Sequence, residues 1–525
     1  MNTSEESGVW LGKRFVGREE IIARAARATS GFAAFGVGPG DSVALLLRND
    51  VAFFEASLGV GALGGYAVPI NWHAKGEEIA HVLADSSAKA VVVHADLLSN
   101  LREVCPPGVP MLVAATPDEL ADLYHLDPDA RGEPVAGDDR GEESSGKVVL
   151  GWDAWLSDHA PFEGKRSQAP ASMIYTSGTT GRAKGVRRTP LNAGQIAALR
   201  RVNADVLGIV SGMRTVIPAP LYHSAPNTYA LSALRGRGLV VLQGRFDPEE
   251  LLALIERHAI TRLQLVPTMF IRLLRLPDEL KRRYDLSSLE HVVHAAAPCP
   301  VDVKRAMIDW WGPIIFEYYG STESGPVTAC DSAEWLAHPG TVGRPVPGAE
   351  IRVIGEGGVP VASGETGEIY MHFPDYGDFT YQNASERRAE IELDGFITVG
   401  DLGYLDEEGF LYLCDRKNDM VISGGANIYP ARIEATILGL EGVADCAVFG
   451  IPDSDLGEVV AAAVQPQPGA TLTEDEVRSH VGAHLARFEV PRVVTFHDAL
   501  PREDSGKIFK RRLRDPYWAD SGRSI

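Results

Sequence analysis

The sequence predicts an α/β fold: a large N-terminal domain of layered, mainly parallel sheets with a β-rich subdomain, then a small α+β C-terminal domain. Three observations lead there. Short runs of branched and aromatic residues alternate with amphipathic stretches through most of the 525 residues, the pattern of βα units. Those runs are almost continuously apolar, as strands covered on both faces require. From about Gly348 the texture changes to strands joined by tight glycine turns, and a short βα-rich tail begins near Arg416.

The first strand is "SVALLL" at 42–47. The next run, "VAFFEASLGVGALGGYAVPI" at 51–70, is long enough to raise a membrane span. It carries Glu55 and several glycines, and Pro69 closes it, so it reads as a buried helix entering a strand. Its G-x-G-x-x-G (Gly59, Gly61, Gly64) follows the helical pattern and precedes the strand. A dinucleotide fingerprint has the opposite order, so these glycines read as close-packing positions. Strands follow at "KAVVVH" (89–94) and "MLVAA" (111–115). The polar, acidic stretch 127–147 is expected to be a loose surface insertion, because the alternation resumes after it. "SMIYT", "TVIPA", "LVVLQ", "RLQLV", "HVVHA" and "IIFEYY" continue the strand series, with an amphipathic helix at 247–259. In the C-terminal part "EIRVIGEGG", "GEIYMHF" and "DEEGFLYLCD" read as strands, and helices are expected near 430–440 and 474–486.

A net charge of -21 argues against nucleic acid or an anionic membrane as the main partner. A polyanionic ligand must then be met by local groups. Cys105, Cys299, Cys330, Cys414 and Cys446 are far apart with no C-x-x-C pair, which points to reduced thiols. The N-terminus has no apolar run of signal type, so a cytoplasmic protein is expected, with a homodimer as the expected assembly.

The stretch "YTSGTTGRAKGV" (175–186) combines small residues, hydroxyls and one cation. Glycines let backbone amides approach a ligand, hydroxyls add rotatable donors, and a lysine supplies a point charge suited to phosphate. A Walker loop needs Gly-Lys followed by Ser or Thr; here Ala183 precedes Lys184 and Gly185 follows it. The loop follows the strand "SMIY", and ligands bind at the carboxyl ends of strands in α/β sheets. "YYGSTESG" (318–325) follows "IIFEYY" in the same way. Tyr319 offers a flat face for a purine, Thr322 a hydroxyl for phosphate, and Glu323 a hard oxygen for magnesium.

These segments, with "PLYHSAPN" (220–227), "HAAAPCP" (294–300), "VGDLGYLDEEGFLYLCDRKNDMVISGGANIYPARIE" (399–434) and "PREDSGKIFK" (501–510), resemble in order the motifs of the adenylate-forming superfamily. The likeness covers nearly the whole chain and is that of an acyl-CoA synthetase. The resemblance implies ATP, CoA and Mg2+ as cofactors, and two half-reactions: a carboxylate attacks the α-phosphorus of ATP, then a thiol takes the acyl group and releases AMP. It implies that Thr176, Ser177, Gly178, Thr179, Thr180 and Lys184 cradle phosphates, with Thr176 also in the catalytic set. Ala297, Pro298, Tyr319 and Gly320 would meet adenine, Thr322 phosphate, and Glu323 the metal. Asp401 would hold the ribose hydroxyls, with Arg416 near ribose and phosphate. Lys507 would bridge the carboxylate and the α-phosphate. His223 would border and gate the acyl site. Gly424 and Gly425 would flank the thiol channel. The small domain rotates in this family about a hinge two residues after the arginine, here Asn418, giving domains 1–417 and 418–525. Aspartate or lysine is usual at the hinge, and glutamate is commoner at Ala426, so both positions depart from the pattern.

The acyl pocket is expected at His223, Ser224, Met269, Phe270, Ala295, Ala296, Gly320, Gly325 and Pro326. These are mostly small or apolar and include no lysine or arginine, which points to a hydrophobic monocarboxylic acid, medium- or long-chain, alicyclic or aromatic. Three other readings share parts of the pattern. A peptide-synthetase-type adenylation protein needs a pocket aspartate for the amine and usually a carrier domain, for which the tail leaves no room. A luciferase-like oxygenase shares every motif. A nucleotide sensor has no use for Lys507.

Overall fold

Most of the expected strand series forms two mainly parallel sheets in the computed structural model, which describes residues 7–127, 131–132, 148–176, 182–502 and 508–519. Most of the 127–147 stretch lies outside the described residues. The larger sheet runs in the order Arg344–Pro345, Gly325–Cys330, Ile315–Ser321, His291–His294, Arg262–Leu265, Arg214–Ile217, Leu239–Leu242, Gly8–Leu11 and Arg14–Gly17. From Ile315–Ser321 through Gly8–Leu11 its pairs are parallel; the pairs outside them are antiparallel. The second sheet, Tyr66–Pro69, Ser42–Leu46, Val91–His94, Met111–Ala114 and Val149–Gly151, is parallel throughout. Its first four strands are buried at every position, which is why they read as continuous apolar runs.

The helices Arg18–Ala34 and Val51–Ala62 share a core cluster with both sheets. The second of them enters the strand Tyr66–Pro69, as the 51–70 run predicts. A Cβ on Gly59 would stand 3.0 Å from the Cβ of Ala28, so the glycine allows the two helices to touch. Among the described residues no helix is long and apolar enough to cross a membrane.

One expectation is corrected. The strand Ile174–Thr176 does not join a parallel sheet. It pairs antiparallel with Lys184–Arg188, which pairs antiparallel with Phe379–Tyr381. Ile174–Thr176 and Lys184–Arg188 are therefore antiparallel neighbours, and residues 177–181 between them lie outside the described residues.

Beyond Gly348 the strands Glu350–Ile354, Gly367–His372, Phe396–Leu405, Glu392–Leu393 and Leu411–Arg416 form an antiparallel sheet. The C-terminal sheet comprises Ala426–Ile428, Val421–Ser423, Gly457–Pro466, Val443–Asp453 and Val493–Phe496. The helices Pro430–Leu438 and Glu474–His484 share its core, through Ile433, Ile437, Val477 and Val481. None of the five cysteines is in a disulfide.

Candidate active site

Two hairpin tips meet to form the site. In the first, Thr176 and Lys184 are register partners; Ser177, Gly178, Thr179 and Thr180 lie outside the described residues. The second is the turn joining Ile315–Ser321 to Gly325–Cys330. Ser321 Oγ accepts the amides of Glu323 at 3.1 Å and Ser324 at 3.0 Å, the local bonding by which serine builds a turn. Gly325 has φ +72°, and a Cβ there would enter the Tyr376 ring at 2.6 Å; a Cβ on Gly320 would stand 1.9 Å from the Gly325 carbonyl oxygen. At these two positions, both expected in the acyl pocket, any side chain would meet the hairpin or Tyr376.

Glu323 joins the tips. Its Oε1 accepts the Thr176 hydroxyl at 3.2 Å and the Tyr381 hydroxyl at 3.1 Å. Lys184 Nζ stands 5.2 Å from the centre of the Tyr381 ring. Beneath them Arg188, 7 % exposed, donates to the carbonyls of Thr322 and Glu323, each at 2.6 Å, and of Gly377 at 3.0 Å. Its guanidinium lies 3.9 Å from the Tyr376 ring centre. Burial pulls its pKa down, opposed by the fields of Tyr376 and Glu323. Arg188 thus fixes the 322–323 turn from the strand that begins at Lys184. Neither Arg188 nor Tyr381 is among the residues that sequence reasoning selects. For Arg188 the signal was faint: it lies two residues past the glycine-rich segment.

A second group forms alongside. Asp401 and Arg416 face each other in register. Asp401 Oδ1 lies 3.3 Å from Arg416 Nε, and its Oδ2 accepts the Tyr319 hydroxyl at 2.7 Å. Burial, then the Asp401 charge, holds the Tyr319 phenol well above its ordinary pKa, so it stays a donor. Because Tyr319 and Glu323 belong to one strand-turn segment, the two groups share a scaffold. The pairing of His294 with Glu317 carries the 295–298 turn alongside this strand. Ala295 is buried, while Ala296, Ala297 and Pro298 are exposed. Ala296 holds φ +74°, a left-handed conformation that costs an L-residue about 1–2 kcal/mol.

The remaining expected residues are more scattered. His223 precedes the helix Ser224–Arg235, with Ser224 as its first residue. Asn227 of this helix accepts the Ser172 hydroxyl at 3.0 Å, tying the helix to the chain leading into the first hairpin. Pro326 is buried opposite Gly320. Met269 and Phe270 are 2 % and 0 % exposed and share a core cluster with Leu265, Val292 and Ile315. Asn418 sits exposed in the 417–419 turn with ordinary negative φ. Gly424 (φ +56°) and Gly425 (φ +85°) form the two-residue turn between Val421–Ser423 and Ala426–Ile428, a conformation that calls for glycine. Lys507 lies outside the described residues.

The donors suit magnesium. Among the described residues no hydrogen-bond donor reaches Glu323 Oε2, which leaves it for a cation. No group of three or more His, Cys, Asp or Glu side chains among them could form a closed cage. Magnesium is commonly held by one or two carboxylates, with waters and phosphate oxygens completing its shell.

Comparison with known proteins agrees with this geometry. Residues 16–376 match the AMP-binding enzyme family, and residues 432–507 match the AMP-binding enzyme C-terminal domain. The chain is 34% identical over 501 residues to a feruloyl-CoA synthase of Amycolatopsis, covering 94% of this chain and 92% of that one. It is 32% identical over 510 residues to the long-chain-fatty-acid–CoA ligase FadD13 of Mycobacterium tuberculosis, covering 95% and 93%. The solved amide bond synthetase McbA of Marinactinospora thermotolerans superposes with TM-score 0.79 at 26% identity, covering 98% of each chain.

Proposed function

The chain belongs to the AMP-binding enzyme family and is an AMP-forming acyl-CoA ligase, and from that premise we propose that it activates a hydrophobic monocarboxylic acid. The acid's carboxylate oxygen bonds to the α-phosphorus of ATP and pyrophosphate leaves. The CoA sulfur then bonds to the acyl carbon, AMP leaves with the bridging oxygen, and the thiol proton is released. The observation carrying this reading is the meeting of Thr176, Lys184 and Glu323 at two hairpin tips, with Tyr319, Asp401 and Arg416 alongside.

In this reading Lys184 and the loop donors offset β- and γ-phosphate charge. Glu323 would hold magnesium, which would supply charge neutralisation at the phosphates. Asp401 holds the ribose hydroxyls through charge-assisted bonds, and Lys507 approaches the α-phosphate from a C-terminal domain that rotates about Asn418, dividing the chain at 417/418. A feruloyl-CoA synthase and a fatty-acid ligase among the relatives support a hydrophobic acid of aromatic or aliphatic type.

The test is pyrophosphate release across a panel of hydrophobic acids, with thioester detected by mass spectrometry with and without CoA. A CoA-dependent thioester supports the proposal. Release that requires an amino acid and ignores CoA overturns it, as does an amide product with amines in place of a thioester.

Arg188→Lys gives a finer check. Lysine keeps the charge but loses the planar fork that reaches several carbonyls at once. The Thr322–Glu323 turn loosens, and KM for ATP is expected to rise about tenfold, the worth of roughly one such bond, with KM for the acid within about twofold. Equal rises for both substrates would mean that Arg188 does not act through the nucleotide side.

A further inference from the structure

Tyr381 lies outside every motif discussed so far, on the strand Phe379–Tyr381. Yet it touches both charged groups at the phosphate end: its hydroxyl donates to Glu323 Oε1 at 3.1 Å, and its ring centre stands 5.2 Å from Lys184 Nζ. The residue is 6 % exposed and packs with Val186, Phe379 and Ile397. Packing accounts for the ring, which phenylalanine would supply equally. It does not account for the hydroxyl, a buried polar group that needs a partner.

We propose that Tyr381 is a positioning residue for the cation-binding carboxylate: with Thr176 it pins Oε1 of Glu323, so that Oε2 is the oxygen presented to a divalent cation. Two donors converging on one oxygen fix the rotation of the carboxylate plane. A freely rotating carboxylate would have to be ordered at each binding event, at an entropic cost that prior fixation removes. The ring meanwhile gives the Lys184 ammonium an attractive face. The third strand of this small sheet is thereby part of the nucleotide site and not only its support.

This inference rests on reading Glu323 as the magnesium ligand, and its test separates the two. Tyr381→Phe keeps the ring and removes the hydroxyl. Binding of α,β-methylene-ATP is measured by calorimetry at saturating magnesium and in EDTA, for the parent and the variant, with thermal melts of both. The parent is expected to bind more tightly with magnesium. In the variant that gain shrinks about tenfold, the worth of one bond to a charged group, while metal-free affinity and Tm stay as in the parent. Tyr381→Leu, which also removes the face beneath Lys184, should in addition weaken metal-free binding. An unchanged magnesium gain in Tyr381→Phe overturns the inference alone. Equal weakening with and without metal also overturns it, since that reports a structural role. A parent that gains nothing from magnesium overturns the assignment of Glu323 as well.

Discussion

Lys507→Ala is expected to slow acyl-adenylate formation by about 10²–10³-fold, while transfer of a supplied acyl-adenylate to CoA stays within about fivefold. The first half-reaction drives an anion onto a polyphosphate. The chain's net charge of -21 offers no help at long range, so local cations must provide it. Lys184 stands at the first hairpin beside Glu323 and Tyr381, the phosphate end in the proposed pose. The α-phosphate and the incoming carboxylate need a second cation, which must be present when charge builds at phosphorus. The second half-reaction has no such requirement: pyrophosphate has left, and the thiol attacks carbon. The measurement is single-turnover kinetics of the two steps separately, the second started from synthetic acyl-adenylate. Equal loss in both steps, or none in the first, would remove Lys507 from the role proposed for it.

Much of this site could be read in the residues because its parts are local in sequence. Tyr319, Thr322 and Glu323 fall within one strand-turn segment, and Asp401 and Arg416 flank one hairpin that brings them into register. The parallel strands were legible for a similar reason: burial on both faces leaves an unbroken apolar run. What escaped depends on distant pairing. Arg188 reaches Glu323 across 135 positions, and Tyr381 reaches it across 58. The antiparallel partner of Ile174–Thr176 was hidden because strand composition does not encode direction, and the preceding pattern favoured a parallel layer.

Lys304→Met is expected to destabilise the protein by about 3–5 kcal/mol at pH 8, the usual cost of stranding one member of a buried pair. Lys304 is 0 % exposed, and its Nζ stands 2.5 Å from Glu317 Oε2, itself in a 4 %-exposed residue. His294 Nε2 lies 3.5 Å from the same oxygen. Burial pulls the imidazole well below its ordinary pKa, and the Lys304 charge adds to that, so beside Lys304 His294 is neutral. Burial already raises the Glu317 pKa, with Lys304 opposing the rise. Without the lysine the folded-state pKa climbs further above the unfolded value. Between those values the folded state binds more protons than the unfolded state, so stability falls as pH rises. The cost should therefore be smaller at pH 5 than at pH 8, and Lys304→Met with Glu317→Leu should recover a large share of it. Urea transitions followed by tryptophan fluorescence provide the measure, with Trp335 a close reporter at 5.0 Å from the ammonium. A loss below about 1 kcal/mol at pH 8, or one that grows on acidification, would show that Glu317 finds another partner. The double variant also asks what the pair contributes beyond stability. Glu317 lies two positions before Tyr319, and Lys304 is in the helix Val301–Trp311 after the 295–298 turn. If the restored fold has a raised KM for ATP, the buried charges serve to hold those two turns at a fixed spacing.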